Sequence, residues 1–321
     1  TLQFRSDILQ IMNKKLDFSQ PLMVLAPLAG YTDLPFRSVV KKFGADLTIS
    51  EMISSNALVY KSARTLKMIE KSPTEDPYFV QIAGNSVELV RDAVLLLNDV
   101  EGIDGIDLNC GCPAPKVFNH GSGSNLLGDL KKLEEILSTV KKYSKKQYTS
   151  AKVRIGVNDK IPVEIGKAVE ACGVDFVSVH GRTRAGKYKA PVDYDAIKAM
   201  KEAISIPVIA NGDIKDYDKA KEVLAYTNAD GVMIGRGAIG KPWVFYQLKH
   251  GIEDISNELK KEIILEHFDA MLKFHGPHGA IMFRKLLHSY SKGYTGANEF
   301  RDIVNKISDI DVMRDMIENF F

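Results

Sequence analysis

Between residues 22 and 250, short β-branched runs alternate with amphipathic helical patterns eight times over, and this alternation restricts the fold more than any other feature. The strand-like runs are 22–26, 46–52, 78–83, 105–109, 150–155, 176–180, 207–210 and 231–234. Helical patterns separate them, for example at 86–97, 129–143, 162–172, 194–203 and 216–225. Strands that are separated by helices run parallel, and eight such units close into an α/β (β/α)8 TIM barrel. A doubly wound open sheet fits less well, because the pattern runs to eight and no early G-x-G-x-x-G turn is present. After about residue 250 the alternation stops. Helices are predicted at 257–274, 279–292 and 298–319, with breaks at Gly276-Pro277 and at 293–296. The expected division is a catalytic barrel over 1–250 and a small all-helical domain over 251–321.

Composition narrows the function classes. With 45% hydrophobic and 26% charged residues the chain is ordinary for a globular protein. No apolar run approaches the ~18 residues of a membrane span, and no signal-peptide pattern is visible, so no membrane partner is expected. Cys110, Cys112 and Cys172 do not make a disulfide framework, which favours a reducing compartment, cytoplasmic or nuclear. No second Cys or His pair at zinc spacing stands beside Cys110-Gly111-Cys112, so no metal is expected. The net charge of +2 is too small to announce nucleic-acid binding. Its distribution says more. Residues 270–298 hold Lys273, His275, His278, Arg284, Lys285, His288 and Lys292 and no Asp or Glu, although 251–321 has nine Lys and Arg against twelve Asp and Glu in all. A basic face on a near-neutral domain fits contact with a phosphate backbone; a solvated helix face is the plainer alternative.

In a parallel barrel the chemistry sits at the C-terminal ends of the strands. The fourth run ends in Asp107-Leu108-Asn109-Cys110-Gly111-Cys112-Pro113, where Gly and Pro turn the backbone out of the sheet. A thiol is mostly protonated near pH 7, with a free pKa of ~8.5, so Cys112 is a candidate proton donor, with Asn109 beside it. Pro27, Ala29 and Gly30 keep the first strand end small enough for a flat ring system, and Thr32 or Asp33 can cap the helix that Pro35 opens. Gln81 is an amide in an apolar run and must find partners, whether a ring edge or the backbone. Period-2 alternation sends Lys152 and Arg154 to one face, which is the interior if the cations are to meet polar groups. The sixth run ends in His180-Gly181-Arg182-Thr183-Arg184, followed by Lys187, Tyr188 and Lys189, a basic loop on the active face. Asn211-Gly212-Asp213 and Gly235-Arg236-Gly237 end the last two strands, where backbone N–H groups and an arginine can form a phosphate site; a pair of tight turns is the plainer alternative.

Taken together these strand ends resemble the dihydrouridine synthases, flavin enzymes that reduce uridine in tRNA. The matching stretches are APLAGYTDLPFR (26–37), QIAG (81–84), DLNCGCPAPKV (107–117), KVRIG (152–156), VHGRTRAGKY (179–188), PVIANGDI (207–214) and DGVMIGRGAIGKPWVF (230–245). The resemblance implies FMN at the barrel mouth, NADPH or NADH as its reductant, and a helical tail that holds tRNA. It makes Cys112 the proton-donating cysteine. It makes Pro27, Leu28, Ala29, Gln81, Lys152, His180, Asn211, Gly212, Asp213, Gly235 and Arg236 flavin contacts. Asn109 and Arg154 would lie near the target base, and Arg182 and Arg184 would hold RNA. Leu28 stands where many members carry methionine, Gly186 where glutamine is common, and Leu286 where a histidine usually follows Arg284-Lys285. The texture suggests a eukaryotic member of the 20a/20b type acting in the D-loop, and a monomer. Two rivals remain on the same barrel: a small-molecule FMN oxidoreductase of dihydroorotate or enoate reductase type, and a non-catalytic RNA-binding scaffold.

Overall fold

The computed structural model describes residues 15–321. Nine strands form its sheet: β1 (Leu22–Leu25), β2 (Leu47–Ile49), β3 (Ile53–Ser54), β4 (Tyr78–Ala83), β5 (Gly105–Cys110), β6 (Tyr148–Arg154), β7 (Phe176–His180), β8 (Val208–Asn211) and β9 (Gly231–Ile234). Every pairing is parallel, and β1 joins both β2 and β9, so the sheet closes. The two-residue β3 extends the second position of the ring by pairing with the end of β4. The eight predicted runs are therefore the eight staves of a TIM barrel.

Alternation along each strand divides the apolar residues into two layers. Leu22, Val24, Leu47, Ile49, Phe79, Phe176, Ile209 and Met233 pack together inside the barrel. Leu25, Val80, Ile82, Ile106, Leu108, Val153, Val177, Val179 and Val232 belong to a second cluster, together with residues of the surrounding helices. Above the inner apolar layer the interior turns polar. Register sets Gln81 opposite Asp107 and Asp107 opposite Ser150. One pleat further on, Asn109 lies opposite Lys152, and His180 opposite Asn211.

The helices outside the barrel carry their own stop and start signals. Asp33 caps the helix Leu34–Lys42 by accepting from the Phe36 amide, while Thr32 instead holds the Leu28 amide at 2.8 Å. The tail forms a separate apolar core around Ile263, Phe268, Phe283, Leu287, Phe300 and Met313, which also takes in Val39, Phe43 and Trp243 from the barrel side. The single helix predicted at 298–319 is two, Ala297–Val304 and Ile310–Phe320. Arg284 draws the Ile307 carbonyl to itself at 2.6 Å, and Asp309 caps the second helix, so the chain turns between them.

One buried ion pair anchors the first strand-end loop. Arg37 donates to Glu75 at 2.7 Å and to the Thr32 carbonyl at 3.0 Å, and Glu75 also accepts from Thr48 at 2.9 Å and from the Ser72 amide at 2.8 Å. Removing one partner leaves a buried charge without compensation. Arg37→Met is therefore expected to lower the unfolding free energy by about 3–5 kcal/mol in urea titration. A loss below about 1 kcal/mol, the range of an exposed pair, would contradict this account of the pair.

Candidate active site

A cavity of about 720 Å³ opens at the C-terminal ends of the strands. Its walls are Pro27 and Leu28 after β1, Lys152 on β6, His180 on β7, Asn211 at the end of β8, and Gly212 and Asp213 after it. Gly235 and Arg236 after β9 complete them, and Ser289 and Lys292 reach in from the tail. Ala29 and Gln81 do not line it: Ala29 is exposed, and Gln81 is fully buried. Gly212 holds φ at +135°, a conformation that glycine adopts without strain. A Cβ added at Gly235 would sit 3.3 Å from that of Ala26 and 3.6 Å from Leu28, partly filling the cleft.

The electrostatics of the cavity are cationic. Burial, with the Arg154 guanidinium nearby, pushes the Lys152 ammonium down to about 8; its Nζ donates to Asn211 Oδ1 at 3.1 Å. Burial, Lys152 and the surrounding arginines push His180 down to about 2, so its ring is neutral at physiological pH. Arg182 Nη1 lies 3.3 Å from His180 Nε2, which makes Nε2 the acceptor and leaves the proton on Nδ1. Arg182 also pairs with Asp213 and holds the Asp213 carboxyl below the usual carboxylate range. Arg236 donates to the same carboxylate at 2.8 Å.

Cys112 is half-buried on the turn that follows β5. Its amide donates to Asn109 Oδ1 at 2.9 Å, and its carbonyl accepts from Ser124 Oγ at 2.8 Å. Lys152 and Arg154 are close enough to feel a charge on its sulfur. Cys112 does not itself line the large cavity. Cys110 and Cys172 are buried, in keeping with packing roles.

Several cations assigned to RNA or base contact have partners inside the protein. Arg154 is 1% exposed and donates to three carbonyls, those of Gly111 at 2.8 Å, Thr183 at 3.0 Å and Lys187 at 3.0 Å. Arg182 is 4% exposed and braces its own loop through the Ala190 carbonyl at 2.5 Å. Arg184 lies over the Phe118 ring at 3.9 Å. In the tail, Arg284 holds Ile307, His288 meets Asn305, His275 meets Asp33, and Lys285 reaches the Gly30 carbonyl. Of the predicted basic face, Lys273, His278 and Lys292 have no side-chain partner among the described residues.

Comparison with known proteins places these features. The profile "Dihydrouridine synthase (Dus)" matches residues 24–320. The chain belongs to the dihydrouridine synthase family. A probable tRNA-dihydrouridine synthase of Helicobacter pylori strain 26695 is 53% identical over 300 residues, covering 93% of this chain and 92% of that protein. A probable tRNA-dihydrouridine synthase of Rickettsia bellii is 40% identical over 311 residues, covering 93% and 94%. The tRNA-dihydrouridine synthase B of Vibrio parahaemolyticus is 39% identical over 308 residues, covering 93% and 95%. These relatives are bacterial and give no support to the eukaryotic 20a/20b expectation. Among solved structures, a morphinone reductase variant with tetrahydroNAD aligns with a TM-score of 0.54 at 12% identity, covering 72% of this chain and 86% of that one. The old yellow enzyme from Trypanosoma cruzi aligns at 0.51 and 10% identity, covering 74% and 91%. These likenesses concern the fold.

Within the family frame, the residues present fit a flavin mononucleotide. A Cβ at Gly235 would crowd the cleft beside Ala26 and Leu28, and Arg236 and Lys152 line the same cavity, a cationic donor set suited to a phosphate and an electron-rich ring edge. Gly186, where glutamine is common, sits in a closed turn: an added Cβ would lie 2.9 Å from that of Ala190. The sequence reading gave no role to three residues of the site. Tyr188, noted only as part of the basic loop, stands half-exposed at the cavity rim between Arg236, 4.8 Å from its ring centre, and Arg154 at 5.4 Å. Asp107 and Ser150 join Gln81 inside the barrel. Polar residues at period 2 in three consecutive apolar strands were the available signal.

Lys152 yields a prediction. The folded protein releases its proton near pH 8, and the unfolded chain near 10.5, so between those values the unfolded chain binds more protons and stability rises with pH. Lys152→Met is expected to flatten that rise relative to the parent, read as urea midpoints at pH 7 and pH 10. Parallel profiles for the two proteins would show that Lys152 titrates as an ordinary lysine.

Proposed function

We propose that this protein is a tRNA-dihydrouridine synthase that reduces the C5=C6 bond of a D-loop uridine, with FMN in the cavity and NADPH or NADH as reductant. The observation that carries the reading is the position of Cys112 on the same barrel mouth as the cationic cavity, beside Lys152 and Arg154. FMN, once bound, would supply a hydride for uracil C6, the position activated by conjugation of the double bond to the C4 carbonyl. Electron density then collects across C5, C4 and O4. Cys112 donates its proton to C5, completing dihydrouracil and leaving a thiolate that solvent reprotonates. Lys152 and Arg154 lie close enough for their charges to act at that turn.

The remaining residues bind and orient. Gly235, Arg236 and the Gly212–Asp213 turn take the FMN phosphate end, and Asp213 holds Arg236 in place. Lys152 takes the ring edge, and neutral His180 offers a hydrogen bond rather than a charge. Asn109 and Arg154 build the wall beside the base through their backbone partners. The uridine must leave its stack to reach them. Lys273, His278, Lys292 and the 182–190 loop hold the RNA backbone, which makes binding salt-dependent. The small-molecule alternative has no use for these tail cations. No helix is long and apolar enough to cross a membrane, and no cluster of metal ligands occurs among the described residues.

The purified protein is expected to be yellow and to form dihydrouridine in tRNA lacking that base, with NADPH or NADH and without activity on free uridine. Activity on free uridine equal to that on tRNA would favour a small-molecule reductase. Arg236→Ala is expected to weaken FMN retention about tenfold or more, read from flavin absorbance after gel filtration. Parent-level flavin in that variant would remove Arg236 from the phosphate site.

A further inference from the structure

Asp107 takes no part in the chemistry above, yet it is fully buried and heads a continuous run of hydrogen bonds that ends on the Cys112 backbone. Gln81 Nε2 donates to Asp107 Oδ2 at 2.6 Å. Asn109 Nδ2 donates to Gln81 Oε1 at 2.8 Å. Asn109 Oδ1 accepts the amide N–H of Gly111 at 3.2 Å and of Cys112 at 2.9 Å. Ser150 Oγ donates to the other Asp107 oxygen at 2.6 Å, so both oxygens are occupied.

The order of donors and acceptors in this run is forced from one end. An amide side chain keeps nearly the same shape when it turns by 180°, so packing does not choose between its two orientations. A carboxylate only accepts. It compels Gln81 to present Nε2, which leaves Oε1 to face Asn109. Asn109 must then present Nδ2 and keeps its oxygen for the two backbone N–H groups. Turned the other way, Asn109 would aim an N–H donor at two N–H donors and the Cys112 turn would lose both anchors. On its far side that turn is held by Ser124, whose Oγ and amide both donate to the Cys112 carbonyl. Burial raises Asp107 to about 6, which leaves it a carboxylate at neutral pH.

We propose that Asp107 is a positioning residue for the reaction: through Gln81 and Asn109 it sets the polarity of the relay that holds the Cys112 thiol at the barrel mouth. The inference rests on the reading of Cys112 as proton donor. The relay itself can be tested without that reading, by hydrogen exchange at the Gly111 and Cys112 amides.

The variants are Asp107→Leu, which removes the acceptor and fills its space, and Asp107→Ala, which only deletes atoms should the larger side chain prevent folding. Asp107→Asn is the conservative control. Its oxygen can accept from Gln81 while its NH2 turns to Ser150, whose hydroxyl rotates to accept. In the FMN-loaded enzyme, the Leu and Ala variants are expected to speed exchange at the two amides about tenfold and to lower kcat on tRNA about tenfold. FMN content and the rate of flavin reduction by NADPH should stay within about twofold of the parent, and Asp107→Asn should recover both exchange and kcat. Unchanged exchange in the Leu and Ala variants overturns the relay. An Asn variant as impaired as Leu, or flavin reduction falling in step with tRNA turnover, overturns the positioning role in favour of a general loss of structure. A parent enzyme that makes no dihydrouridine overturns the functional reading instead, and amide exchange alone then decides the relay.

Discussion

The carboxylate of Asp107, walled in by β4, β5 and β6, sets the character of the upper barrel. One pleat before its partner Gln81, Phe79 packs in the apolar cluster of the barrel interior with Leu22, Leu47 and Phe176. At the Asp107 level Gln81 and Ser150 must turn toward the carboxylate, because a buried acceptor without donors is costly. One pleat higher, Asn109 and Lys152 inherit that arrangement and present polar atoms at the mouth. In-register parallel pairing is what transmits the order: a slip of one residue on β5 would send Asp107 and Asn109 into the outer apolar layer. The chemistry thus sits on a floor whose polarity is fixed several ångströms beneath it.

The tail is joined to the barrel at the same mouth. Lys285 reaches the Gly30 carbonyl and covers the Tyr31 ring at 4.8 Å; His275 meets Asp33 at 3.0 Å; Lys67 reaches the Phe274 carbonyl at 2.9 Å. These contacts bind the first strand-end loop from outside while Arg37 and Glu75 bind it from beneath. Basic residues of the tail therefore do structural work at the junction, and the smaller set left over, Lys273, His278 and Lys292, is exposed, with Lys292 at the cavity wall.

The strand pattern was legible because β-branched runs such as 176–180 and 231–234 have no other stable use in so regular an alternation, and both match β7 and β9 residue for residue. Spacing offered Thr32 or Asp33 as the cap, of which the structure uses Asp33, and put Lys152 and Arg154 on one face, which the need of buried cations for polar partners made the interior one. What the sequence hid was the partner of each charge. Arg154 was placed near the target base by its match to the family and Arg182 against RNA by its basic loop, but both satisfy backbone carbonyls, which every residue carries and no pattern marks. Gln81 was recognised as an amide in need of partners, and those partners are Asp107 and Asn109. The turn at 305–309 escaped notice because apolar spacing continues through it from Val304 to Met313, while the bond that bends the chain comes from Arg284 on another helix.

The central claim is that a sulfhydryl on the turn after β5 completes a reduction begun at the cavity. The most direct measurement is a single anaerobic turnover: enzyme whose FMN is already reduced is mixed with tRNA lacking dihydrouridine, and flavin re-oxidation is followed by absorbance. The account predicts that Cys112→Ala re-oxidises at least about 100-fold more slowly than the parent, while NADPH reduces the two proteins equally fast. Equal re-oxidation rates on tRNA would contradict it.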